Sequence, residues 1–211
     1  MVISWSPSGD FSEVVDTLES VTILRCDRQG HAVQAEAWRF EEVRADSAQA
    51  PGSLWQTITT WQFSLPEVDV SPVPSDRLVD AQGRCATIRS ARRQQGATRY
   101  VCETVRNVVT AKSRQVFDIQ RPIVVNGQGG STIEQWELAQ TGVEGCFPRR
   151  QEDPLEESPA IDIALVGPDE VVVGARLLSR RGGEYAVTAV DMPKIVGDPW
   201  VVTTVELDTS A

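Results

Sequence analysis

Residues 61–83, WQFSLPEVDVSPVPSDRLVDAQG, alternate apolar and polar side chains, break at prolines, alternate again and stop at Asp-Ala-Gln-Gly. A period of two puts every second side chain on one face of a strand. A worn copy of the pattern lies one hundred residues further on. Trp61, Phe63 and Leu65 answer to Ile161, Ile163 and Leu165, Gly83 answers to Gly183, and YVCETV (100–105) answers to WVVTTV (200–205). One small β-domain present twice is the reading that follows.

SLWQTITTWQFSL (53–65), which contains the start of that stretch, alternates cleanly with β-branched and aromatic residues, a strong strand signal. Before it, VTILRCD (21–27) and HAVQAEAWRF (31–40) flank a turn in which Gly30 supplies a positive φ. RADSAQAPGSL (44–54) is small, polar and proline-bearing, which predicts a long flexible loop. After it, Pro66, Pro72 and Pro74 interrupt any ladder, so the chain crosses over there. RLVD (77–80) reads as a short strand, and CATIRSA (85–91), the polar tip RRQQG (92–96) and TRYVCETVR (98–106) read as a hairpin.

The pattern then restarts. FDIQRPIVV (117–125) runs into the turn signal Asn126-Gly127, and TIEQWEL (132–138) follows. CFPRRQEDPLEESP (146–159) reads as the long loop again, IDIALV (161–166) as the Trp61 strand, and PWVVTTVEL (199–207) as the closing strand. Val21, Ile23 and Arg25 align with Phe117, Ile119 and Arg121 at an offset of 96, Trp38 with Trp136 at 98, and the later anchors at 100. One break remains: Asp76 aligns with Asp169 at 93, which requires an added loop before Gly183.

The fold class expected is all-β, two tandem small antiparallel β-barrel or sandwich domains with a short N-terminal helix. FSEVVDTLES (11–20) spaces Phe11, Val14, Val15 and Leu18 as a helix that Ser12 could cap. The boundaries expected are an arm and helix over 1–20, a first barrel over 21–108, a linker over 109–116 and a second barrel over 117–208. Closure of each half removes the exposed edges a short meander would leave.

Composition narrows the function classes. Of 211 residues, 41% are hydrophobic, enough for a core, and no apolar run approaches the roughly 20 residues of a membrane helix. The start, MVISWSPSGDFSEVVD, lacks a basic and apolar secretory pattern, so synthesis inside the cell is expected. With 30 acidic and 20 basic residues the formal charge is −10, which argues against a duplex-wrapping protein but suits one that DNA slides past.

Candidate chemistry is sparse. His31 is the one histidine and sits at a turn, so no Ser-His-Asp or Cys-His set and no zinc cluster is expected. Cys26, Cys85, Cys102 and Cys146 are dispersed; Cys85 and Cys102 fall on neighbouring strands, where a disulfide is conceivable, but buried free thiols are the expectation. Asp69, Asp76 and Asp80 crowd one crossover and could serve acid–base work or calcium, although turn-forming is the usual role of such residues. NGQGGST (126–132) lacks the spacing and lysine of a phosphate loop. Arg92, Arg93 and Arg99 surround one tip, while Arg176, Arg180 and Arg181 sit near what reads as the equivalent tip. Two basic patches on an acidic body could grip an acidic partner or phosphates, and Trp5, in the N-terminal stretch, could dock on a neighbouring subunit. No cofactor, metal or catalytic set is expected.

The order V-T-I-L-R (21–25), an aromatic strand ending L-P (61–66), P-x-D-R-L-V-D-A-x-G (74–83) and R-Y-x-x-x-T-V-R (99–106) resembles the small β-barrel head–tail joining proteins of tailed bacteriophages, the stopper or head-completion proteins. The second half resembles them more weakly, through 117–121, 161–165, 183–190 and 200–205. The chain departs from that family in carrying two barrels rather than one, and in placing Cys85 where a large aromatic is common. The resemblance implies a structural virion protein, not an enzyme. It would form a homo-oligomeric ring between portal or adaptor and tail, without membrane, and help retain DNA that passes without sequence-specific binding. A tail-terminator or other tail ring protein, or a tandem β-barrel binding module outside any virion, is the alternative.

Overall fold

The computed structural model describes residues 17–26, 31–64, 71–94, 99–127, 130–148 and 160–207, and these contain strands and turns but no helix. The strands are β1 Leu18–Leu24, β2 Ala32–Asp46, β3 Leu54–Phe63, β4 Arg77–Val79, β5 Cys85–Arg93 and β6 Tyr100–Val109 in the first half. The second half holds β7 Gln115–Gly127, β8 Gly130–Cys146, β9 Ala160–Val166, β10 Arg176–Ser179, β11 Glu184–Asp191 and β12 Trp200–Glu206. Two closed barrels result. The first has the order β1-β2-β3-β6-β5-β4, and the second has β7-β8-β9-β12-β11-β10, the same order displaced by six strands. The ladders joining β1 to β2 and β4, β10 to β7 and β11, and β12 to β11 and β9 are antiparallel. The duplicated barrel is therefore a property of topology as well as of sequence.

Hydrogen bonds identify the equivalent residues. In the first barrel the Ser75 N–H donates to Ile88 O (2.9 Å), the Ile88 N–H to Asp76 O (2.7 Å) and the Asp76 N–H to Val73 O (3.2 Å). In the second, Gly174 N–H donates to Val187 O (2.8 Å), Val187 N–H to Ala175 O (2.9 Å) and Ala175 N–H to Val172 O (3.1 Å). Ser75 and Gly174 both have positive φ, 80° and 87°. This corrects the alignment of Asp76 with Asp169. Asp76-Arg77-Leu78 corresponds to Ala175-Arg176-Leu177, 99 residues on, and no added loop is needed.

The next turn corrects a second pairing. Gly83 N–H donates to Asp80 O (2.8 Å) as Gly182 N–H donates to Ser179 O (2.9 Å), so the counterpart of Gly83 is Gly182 rather than Gly183. The β3 alignment moves too. Thr104 Oγ donates to Thr59 O (3.3 Å) and Thr204 Oγ to Ile161 O (2.8 Å), which matches Trp61 and Phe63 to the buried Ile163 and Leu165. Leu65 lies outside the described residues. Aromatic bulk is redistributed between the cores: where β1 has Val21, β7 has Phe117, while Trp61 and Phe63 give way to aliphatics. Compensating large and small positions keeps a core filled at fixed topology.

The two first hairpins differ in length. Ile23 pairs with Val33, ten residues on, whereas Ile119 pairs with Gln140, twenty-one residues on. Trp136 lies opposite Pro122 on this extension, so it is not the counterpart of Trp38, which lies opposite Leu18. Asn126 and Gly127 also remain in the ladder, paired with Ser131 and Gly130. The expected turn therefore does not fall at Asn126-Gly127.

Two further expectations meet the structure. Residues 11–16 of the predicted helix, and Gly30 of the first turn, lie outside the described residues; Leu18–Ser20 open β1, held by pairing with Glu36–Trp38. Residues 44–54 are not a flexible loop. Arg44–Asp46 continue β2, and Ala50 and Leu54 are fully buried with Val109, Cys146 and Ala164. Ser53 and Leu54 N–H groups both donate to Ala50 O, and Gly52 N–H is capped by the Asp46 carboxylate (2.9 Å). The small residues serve close packing, not mobility.

By packing, one compact unit comprises residues 1–45, 56–107 and 195–197, and the other 46–55, 108–194 and 198–211. The first unit thus includes a short segment from late in the sequence, whose Gly197 O accepts from Asn107 Nδ2 (2.7 Å). The second includes the β2–β3 connection.

Candidate functional site

The arginine hairpin of the first unit is built by the β5–β6 ladder. Arg92 and Arg93 end β5 opposite Val101 and Tyr100, and Gln94 N–H donates to Arg99 O (2.9 Å) to close the neck. The side chains of Arg92 and Arg93 are exposed, and Arg99 is half-buried. Arg93 stacks over the Tyr100 ring at 5.9 Å. Tyr100 is itself buried against Phe63, and its hydroxyl is bonded to Ser71 Oγ (2.8 Å). The Tyr100 ring thus engages one guanidinium by a cation–π contact. Arg92 and Arg93 are consecutive on β5 and so face opposite sides of the ladder. Trp5 lies outside the described residues.

The second arginine group is not the equivalent tip. Arg180 and Arg181 follow β10, where the first barrel has the Asp80–Arg84 turn; the counterpart of the arginine hairpin is the β11–β12 connection, with Met192 and Lys194. Arg176 is not at a tip at all. It lies on β10, 2.9 Å from the Glu184 carboxylate and 3.9 Å from the centre of the Trp136 ring. Arg180 is 3.6 Å from Asp118, and Arg181 is exposed. Arginine-rich turns look alike in sequence, while the strand order decides which turns correspond.

The aspartates have separate structural roles. Asp76 is fully buried and accepts from Cys26 N–H (2.9 Å) and Val73 N–H (2.9 Å), with Arg25 Nε at 3.3 Å. It ties the end of β1 to the turn before β4. Asp80 accepts from the backbone N–H groups of Gln82 (3.0 Å) and Arg84 (2.9 Å), from Arg84 Nε (2.6 Å) and from Arg39 (3.4 Å). Burial pushes its pKa up, but the Arg84 backbone and guanidinium and the Gln82 N–H outweigh this and hold it below the usual range. Asp69 lies outside the described residues, and no group of three potential metal ligands occurs among those described.

Sequence reasoning missed the network around Arg39. Its guanidinium meets both Glu19 carboxylate oxygens at 3.0 Å, Glu42 at 3.2 Å and Asp80 at 3.4 Å, and lies 4.8 Å above the Trp61 ring. Trp61 Nε1 donates to Thr104 Oγ (3.0 Å). The adjoining cavity, bordered by Thr57, Thr59 and Arg106, is about 20 Å³, space for a single water. These charges compensate one another around a packed tryptophan, so the arrangement fixes strands rather than binding a ligand. The signal in sequence would have been the mixture of charge with inward-facing threonine and tryptophan, but the partners lie 20 and 41 residues from Arg39.

All four cysteines are free. The register excludes a Cys85–Cys102 bridge, since Cys102 pairs with Ala91 and Cys85 with Val79. Burial pushes the Cys102 thiol up to about 12, aided by Asp76, and the Cys146 thiol up to about 11. Neither has the thiolate character a nucleophile needs. His31 is exposed at the start of β2. Among the described residues of the first unit, the arginine hairpin is a surface feature with binding character. Comparison of the chain with protein-family models, curated proteins and solved structures finds no match.

Proposed function

We propose that the chain is a structural virion protein of a tailed phage, a head–tail connector ring component of the stopper type that sits between portal or adaptor and tail and helps retain packaged DNA. The observation that carries this reading is the fold of the stretch bearing the resemblance. Pro74–Gly83 forms a turn, the short strand β4 and a second turn inside a closed six-stranded barrel, and the unit recurs around β10 in a second barrel of the same order. Two barrels per chain would supply two positions of a ring.

The physical chemistry suits that role. A net charge of −10 repels the DNA polyanion and lets it pass without adhering. Rings are built from unlike, complementary patches repeated head to tail, and a basic hairpin on an acidic body offers one such patch. On this reading the protein resides in the virion, works without catalysis, and contacts portal or adaptor and tail proteins. The test is deletion of its gene from the phage that encodes it. Electron microscopy of the lysate is expected to show separate heads and tails, with heads that lose DNA. Intact tailed particles in normal yield would overturn the proposal.

A further inference from the structure

We propose that the outer face of the second barrel at Ala186 and Val205 receives the β5–β6 connection of a second copy of this chain; the inference rests on the ring reading and names its interface. The first barrel shows how such a face is covered. Thr87 on β5 pairs with Val105 on β6. Both point outward, because their neighbours point inward: Ile88 is buried in the core, and Thr104 Oγ accepts from Trp61 Nε1 (3.0 Å). Outward Val105 is nevertheless only 2% exposed. Its cover is residues 195–197, which come from the β11–β12 connection and belong to the first unit. Gly197 has a φ of +86°, and a Cβ there would collide with Val105 Cγ1 and stand 3.5 Å from Thr87 Cβ. Arg89 Nε donates to Val196 O (3.4 Å) and Asn107 Nδ2 to Gly197 O (2.7 Å), which clamps the segment by two carbonyls.

The second barrel carries the same pair without that cover. Ala186 pairs with Val205 as Thr87 does with Val105, and in both barrels the register shifts just after the next residue, Ile88 or Val187. Yet Val205 is half-buried, and Thr188, in the position of Arg89, is exposed. Strand order names the occupant. The cover in the first unit comes from the connection beyond the Asp191–Val201 pair, and its equivalent is the connection beyond the Arg92–Val101 pair, between β5 and β6. Val205 keeps its exposure within the single chain, so the connection that covers it comes from another copy. Connection and face are different surfaces, so the contact is heterologous and repeats from copy to copy until a ring closes. Thr188 Oγ is bonded to Thr203 O (3.0 Å), and Leu207 stands where the first barrel has Asn107. The contact between copies therefore lacks the two clamps and rests on apolar burial.

The test is sedimentation velocity of the full chain over a concentration series, where self-association is expected. Val205→Glu and, separately, Ala186→Arg place a charge in the contact, and each is expected to weaken association about tenfold or more, with the urea midpoint showing that the fold persists. Replacing residues 95–98 by Asn-Gly, which suits a tight hairpin turn, shortens the occupant, leaves the face intact and is expected to weaken association as much. Mixing the Val205→Glu chain with the shortened chain is expected to restore dimers that grow no further, because one supplies the connection and the other the face. Association unchanged in the folded face variants or in the shortened chain would overturn this interface and leave the ring reading standing. A natural chain that stays monomeric throughout would also overturn it, whereas the ring reading itself falls only with the gene-deletion result.

Discussion

At Ser75 a side chain occupies backbone that favours glycine. Its φ is +80°, and the second barrel has Gly174 in the same turn at +87°. Left-handed backbone costs a residue with a Cβ about 1–2 kcal/mol. Ser75→Gly is accordingly expected to stabilise the protein by about 1 kcal/mol, read as a rise in the urea midpoint. Next to it, Asp76 is fully buried against Arg25, whose side chain is 9% exposed, where the second barrel has Ala175. Breaking a buried pair strands the surviving charge, so Asp76→Ala alone is expected to cost about 3–5 kcal/mol. The thiols give a third residue-scale outcome. Cys26 is exposed and Cys102 and Cys146 are buried with raised pKa values, so iodoacetamide at pH 8 should modify Cys26 and spare those two until the protein unfolds. Peptide mass spectrometry reads it directly. Free, buried thiols were legible in the sequence and hold for Cys102 and Cys146, whereas the role of Asp76 was not, because it depends on partners brought close only by the fold, such as Cys26 at 50 residues from it.

Strands and turns were more legible. Alternation around Trp61 and the hairpin of Arg92 to Arg99 were readable because a half-buried strand imposes its period on the side chains. Equivalences were not, since insertions such as the longer β7–β8 hairpin move the offset by amounts the alternation cannot register. Small residues also misled: 44–54 read as loose, yet Ala50 is buried. Gly145 is a similar case. A Cβ there would meet Ala164 O at 2.8 Å and Phe117 Cε2 at 3.1 Å, so Gly145→Ala should destabilise the β8–β9 crossing by about 1–3 kcal/mol, measured by denaturation. The Asp80 turn carries a pH dependence with a definite sign. Its folded pKa lies below the ordinary value of 3.8, so its contribution is present above that value and lost as pH falls through the folded value. The stability gap between the natural chain and Asp80→Asn is expected to hold steady at neutral pH and close in acid below that value.

For the molecule as a whole, duplication was legible and is visible in two barrels of matching strand order, while the partners proposed rest on resemblance alone. The acidic balance has a measurable consequence: at physiological salt the purified chain is expected not to retain linear DNA in a filter or gel assay, with any retention confined to low salt. If the chain is the proposed neck protein, electron cryomicroscopy of the intact particle is expected to show a ring beneath the portal in which each copy of this chain contributes two six-stranded barrels. A neck from which the chain is absent, or a ring built with one barrel per copy, would contradict it.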